Sequence, residues 1–179
     1  MIQNKTNQTL TLKDGRTLGF AEYGDPQGKP LIECHGNPSS RLGSGLFDKT
    51  AKKMGVRVIG IDRPGMGLSD YKPHRTLLDW PDDVIEFADA LGFEQFPIIG
   101  GSGGVPATLA CAYKISERLR AVGVLFGPRP IGTPGATDGW SLSRRIQAYL
   151  ERNGPFWVVR MGMSIVARMM RNNPEKAFS

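Results

Sequence analysis

The stretch Ile98-Ile99-Gly100-Gly101-Ser102-Gly103-Gly104-Val105-Pro106 decides the fold. It joins a short apolar run to a segment of helical character, with four glycines around one serine at the junction. Three motifs place glycines at a turn of this kind. A phosphate loop requires Lys followed by Ser or Thr, and there is no Lys here. A dinucleotide fingerprint built on Gly101 and Gly103 requires Gly or Ala at 106, where Pro106 stands. The third, G-x-S-x-G, fits as Gly100-Gly101-Ser102-Gly103-Gly104. A serine on so tight a strand-to-helix turn is forced into a strained backbone, and flanking glycines let the chain pass without a Cβ clash. Its hydroxyl then projects above the sheet, and the N–H of Gly103 at the helix start points where an oxyanion would form. A plain glycine-rich turn is the competing reading of the same residues.

The segments around it follow one grammar. Thr9-Leu10-Thr11-Leu12 alternates, Asp14-Gly15 supplies a turn, and Leu18 and Phe20 resume the alternation, which predicts an opening β-hairpin. Apolar runs suited to strands buried on both faces follow at Leu31-Ile32-Glu33-Cys34, Val58-Ile59-Gly60-Ile61, Pro97-Ile98-Ile99 and Val122-Gly123-Val124-Leu125. Between them, residues 45–54 present Leu46, Phe47, Ala51 and Met54 at helical spacing, and residues 77–91 present Val84, Phe87, Ala88 and Leu91. Thr76-Leu77-Leu78-Asp79 has the form of a capping box and Gly92 that of a C-terminal cap. A third helix is expected over 103–115, with Leu109, Ala110 and Tyr113. Six strands with interleaved helices predict an α/β fold with a mostly parallel sheet. Residues 127–139 hold four Gly and three Pro, which marks a linker. Beyond it the pattern is helical, with Ile146, Tyr149 and Leu150, then Val159, Met163, Val166 and Met170. The domain reading is therefore a core over 1–139 and a helical segment over 140–179.

Composition excludes several classes. The 179 residues suit one core of ordinary size. The net charge is +6, and residues 141–179 hold seven basic residues against two acidic. Arg144, Arg145, Arg152, Arg160, Arg168 and Arg171 interleave with apolar residues, as solvated helix faces do, so no nucleic-acid partner is expected. Cys34 and Cys111 make no disulfide framework and are expected as buried free thiols. No spacing offers a metal site, and no cofactor is expected. The longest apolar stretch, 155–166, carries Arg160 and falls short of the ~20 residues that span a bilayer, so no stable membrane insertion is expected. The opening MIQNKTNQTL lacks the apolar core of a signal peptide, which gives a cytoplasmic expectation.

Two further loops carry chemistry. His35-Gly36-Asn37-Pro38 follows a buried strand, so its loop would face the same crevice as Ser102, with the Asn37 N–H as a second oxyanion donor. His35 itself reads as a loop-holding residue rather than a base. Asp62-Arg63-Pro64-Gly65-Met66-Gly67-Leu68-Ser69-Asp70 ends the next strand and reads as a structural turn near the crevice.

In this order and with these separations, HGNPSS, DRPGMGLSD, DWPDDVIEFADALG and IIGGSGG resemble the α/β-hydrolase superfamily over about residues 8–140. The resemblance implies Ser102 as nucleophile, Gly103 and Asn37 as oxyanion donors, a small-molecule acyl substrate, and the helices after 139 as the start of a cap. It also implies an acid and then a histidine after the serine. Residues 103–179 contain no histidine, and their acids are Glu117, Asp138, Glu151 and Glu175. Asp138 is a weak candidate for the acid and His74, before the serine, for the base. The family sheet has eight strands against six here, so the chain is expected to be the N-terminal part of a longer hydrolase, incomplete as a catalyst by itself. Two other readings stand behind a serine hydrolase of small esters or amides. One is a non-catalytic binding protein that kept the crevice. The other is a haloalkane dehalogenase, suggested by HGNP but opposed by Ser102, since those enzymes place an aspartate there. Substrate identity and oligomeric state are left open.

Overall fold

The chain starts as a hairpin whose turn is built at Asp14-Gly15. Gly15 holds φ +84°, and the Leu12 N–H donates to the Arg16 carbonyl at 2.8 Å. The hairpin joins β1 (Gln8–Thr11) to β2 (Thr17–Gly24), with Leu10 opposite Leu18. In this computed structural model residues 5–127 and 133–172 are described. They fall in two compact units, Met1–Pro128 and Arg129–Ser179.

The first unit is a six-stranded sheet. After the hairpin come β3 (Lys29–Cys34), β4 (Val56–Ile61), β5 (Phe96–Gly101) and β6 (Leu119–Leu125), in the spatial order β1-β2-β4-β3-β5-β6. β2 pairs antiparallel with β4, and the pairs β4–β3, β3–β5 and β5–β6 are parallel. The helices α1 (Asp48–Lys53), α2 (Trp80–Ala90) and α3 (Val105–Lys114) lie between the parallel strands in sequence. This is the mixed, mostly parallel α/β sheet with flanking helices that the sequence predicts.

The core gathers Leu18, Phe20, Ile32, Ile59, Ile61 and Ile98 with Trp80, Val84, Phe87 and Cys111. Phe20 and Phe87 meet edge-to-face with ring centroids 5.1 Å apart. α2 starts where the Asp79 carboxylate accepts from the Thr76 N–H at 2.5 Å and from its hydroxyl at 2.9 Å, and ends at Gly92 with φ +74°. Both thiols are free and buried.

Three expected faces are corrected. Residues 45–54 do not form one helix with an apolar face. A 3-10 segment, Arg41–Phe47, precedes the six-residue α1. Ala51 is buried, whereas Leu46 is 88% and Met54 71% exposed. α3 likewise buries Val105, Ala107, Thr108, Ala110 and Cys111, while Leu109 and Tyr113 face outward. Small side chains bring this helix close to the sheet: a Cβ on Gly100 would overlap the Thr108 hydroxyl. Finally, among the described residues β6 is the outermost strand, and Val122 and Val124 on it are exposed rather than buried.

In the second unit, turns over Thr133–Trp140 lead to α4 (Leu142–Asn153) and α5 (Phe156–Asn172). The Ser141 hydroxyl accepts from the Arg144 N–H at 3.4 Å and starts α4. Arg144, Arg145, Arg160, Arg168 and Arg171 are exposed. The expected stripe Val159, Met163, Val166 and Met170, with Arg152 and Glu151, lies outside the described side chains, as does Glu175. Among the described residues no helix is long and apolar enough to cross a membrane.

Candidate active site

Four loops leave the C-terminal ends of the parallel strands and meet at one place, the usual position of a site in an open α/β sheet. At the end of β5, Ser102 holds φ +49°. That left-handed conformation costs a non-glycine residue about 1–2 kcal/mol, so the surroundings must enforce it. They do so by close packing. A Cβ on Gly104 would overlap the Cys34 carbonyl oxygen of β3, and one on Gly103 would lie 2.9 Å from the Asn37 Cβ and 3.0 Å from the Asn37 backbone nitrogen. Without side chains at 100, 103 and 104, the 3-10 turn Ser102–Gly104 seats directly against the loop that follows β3. Gly103 and Asn37, far apart in sequence, are thereby neighbours. The Asn37–Pro38 peptide bond is cis.

His35 locks that loop. It is 1% exposed, its Nε2 accepts the Arg63 N–H at 3.2 Å, and its Nδ1 lies 2.8 Å from the Gly36 carbonyl oxygen. An accepting Nε2 leaves the proton on Nδ1, which donates to Gly36. Burial holds the His35 pKa below its ordinary value, against the Gly36 hydrogen bond. With both nitrogens engaged, His35 is a structural element of the loop, as the sequence suggests.

Arg63 ties the two loops together. Its guanidinium donates to the Gly103 carbonyl at 3.1 Å and to the Gly36 carbonyl at 3.0 Å, and burial lowers its pKa. One residue earlier, Asp62 is fully buried and accepts from the Arg41 N–H at 2.7 Å, the Arg41 guanidinium at 2.8 Å and the Leu68 N–H at 2.8 Å. The Ser69 hydroxyl closes the turn on the Asp62 carbonyl at 2.7 Å.

The loops enclose a crevice of about 240 Å³ lined by Ser102, Gly36, Asn37 and Ser39, by the apolar Leu46, Phe47, Ile99, Leu125 and Phe126, and by Glu33. Leu46 and Phe47, expected on a buried helix face, serve here as crevice wall. Glu33 is the residue the sequence reading passed over: it sits inside an apolar strand run, where one charged letter was the available signal. His74 is exposed with φ +54° and does not line this crevice. Glu117 precedes β6, at the opposite end of the strand from Phe126. Asp138 lies in the second unit, in the turn closed by its own N–H on Gly135.

Comparison with known proteins adds to this geometry. The model of the alpha/beta hydrolase family matches residues 34–178. The proline iminopeptidase of Xanthomonas citri is 34% identical over 113 residues, covering 59% of this chain and 34% of that protein. The chain spans about a third of the length of the first curated relatives it matches. Among solved structures, an epoxide hydrolase from Vigna radiata aligns with a TM-score of 0.60 at 18% identity, over 69% of this chain and 39% of that one. An esterase from Exiguobacterium antarcticum aligns with a TM-score of 0.58 at 22% identity, over 69% and 46%. These two likenesses concern the fold.

Proposed function

The chain belongs to the alpha/beta hydrolase family, and from that premise we propose that it is the part of a serine hydrolase that carries the nucleophile and the oxyanion site, acting on a small ester, amide or related acyl substrate. Ser102 attacks the acyl carbon, and the carbonyl oxygen, as it gains charge, is received by the N–H groups of Gly103 and Asn37. Collapse expels the alcohol or amine and leaves an acyl-serine, which water then cleaves. A base must take the Ser102 proton. The family pattern supplies it as a histidine after the serine, and residues 103–179 contain none, so the base and acid are not assigned to residues of this chain. The helices after 139 are assigned to the start of a cap.

The observation that supports this reading most is the left-handed Ser102 on a turn whose neighbour Gly103 abuts the Asn37 backbone nitrogen. A serine in a plain glycine-rich turn has no need of the strain, since glycine would hold the same conformation without it. The reading makes Ser102→Ala lower kcat/KM for p-nitrophenyl esters by about 10⁴-fold in the gene product at its native length. Turnover within tenfold of the parent removes the serine mechanism. No hydrolysis by the parent itself favours a binding protein on the same scaffold.

A further inference from the structure

Among the described residues that line the crevice, Glu33 is the one ionisable group. Its position is unusual in a second respect. The other buried carboxylates are each matched by a cation: Asp62 by Arg41 at 2.8 Å and Asp83 by Arg16 at 2.5 Å. The half-buried Glu22 is matched too, by Arg57 at 2.6 Å. Glu33, 8% exposed, forms no ion pair among the described residues. Its recorded partner there is the buried Ser44 hydroxyl, which donates at 2.7 Å. Arg63 is near enough to favour the Glu33 anion, but its guanidinium donates to the Gly36 and Gly103 carbonyls.

An ionised carboxyl can accept about four hydrogen bonds, and a buried one without a cation is costly. A purely structural role would be served as well by an apolar residue, as at Ile32 and Cys34 beside it. The arrangement is instead that of a half-satisfied acceptor facing the space where a substrate would lie.

We propose that Glu33 is the recognition group of the crevice for a cationic nitrogen, so that the substrate carries a protonated amine which donates to Glu33 while its acyl carbon stands at Ser102. The second half of this statement rests on the serine reading given above; the first does not. Charge-assisted hydrogen bonds of this kind are about twice as strong as neutral ones, and the apolar walls strengthen them by excluding water.

The test is competition by n-butylammonium chloride and by n-butanol, a neutral molecule of the same length, against ester hydrolysis by the native-length protein. At about pH 8, the ammonium ion is expected to inhibit about tenfold more strongly than the alcohol, and Glu33→Gln is expected to abolish that difference. Equal inhibition by the two in the parent overturns the proposal whether or not the variant folds, and so does a preference that survives Glu33→Gln. Saturation-transfer NMR of the same two probes on Ser102→Ala protein reads binding without catalysis. An ammonium preference there, together with hydrolysis that survives Ser102→Ala, would leave the Glu33 site standing while the serine reading fell.

Discussion

Ser102 occupies a conformation that its side chain disfavours and that the packing of Gly103 and Gly104 against the β3 loop imposes. Such strain is held where the rest of the fold over-determines it. The stability consequence can be separated from the chemistry. Ser102→Gly relieves the left-handed penalty, whereas Ser102→Ala keeps it, and both remove the hydroxyl. Ser102→Gly should therefore unfold in urea at least about 1 kcal/mol later than Ser102→Ala. Equal stability would mean that the φ +49° backbone carries no strain. At this scale the sequence was informative wherever a residue type answers a local demand. Glycines at 100, 103 and 104 around a serine announce a tight crossing. Arg63 was not legible as a tie between loops, because its partners are backbone carbonyls that side-chain patterns do not encode. Glu33 escaped notice because a burial pattern treats the whole run 31–34 as one strand and ignores its single acid.

The elements that carry the site are fastened by polar contacts rather than by their own propensity. The 3-10 segment Arg41–Phe47 and the turn after β4 are joined through the buried Arg41–Asp62 pair, with the Arg41 and Leu68 N–H groups on the same carboxylate. Removing one partner leaves the other charge buried and unmatched, which typically costs 3–5 kcal/mol. Asp62→Ala is thus expected to destabilise the first unit by about that much in urea. Asp70→Ala, a loss at an exposed carboxylate that accepts from the Thr17 N–H, should cost about 1 kcal/mol. Comparable losses would deny the Asp62 cluster its fastening role. The strand segments and the helices α2 and α3 were legible from apolar runs, caps and spacing, whereas the spatial order of the strands was not read from the sequence. Which face each helix buries was less legible. Periodicity cannot tell a core face from a crevice wall, as at Leu46 and Phe47. Nor can it weigh a small-residue face against a larger exposed one, as in α3.

Two buried groups couple the folded molecule to pH with opposite signs. Burial lowers the pKa of His35, so as pH falls through about 6.5 the unfolded chain takes up a proton that the folded one refuses, and stability is lost. Burial raises the pKa of Glu33, so as pH falls toward about 4.5 the folded chain takes up a proton that the unfolded one does not yet hold, and stability is gained. Between about pH 6.5 and pH 4.5 the two effects oppose each other in the parent. Glu33→Gln, which removes the gain, should lose urea stability more steeply over the same interval. Identical slopes would place the Glu33 titration in the ordinary carboxylate range.

The central claim, that Ser102 is a nucleophile beside an oxyanion site, is tested most directly by covalent capture. The native-length protein, incubated with a fluorophosphonate and digested, should carry one phosphonyl adduct on the peptide containing Ser102, and Ser102→Ala should carry none. An adduct on another residue, equal labelling of Ser102→Ala, or a parent that stays unlabelled would contradict it.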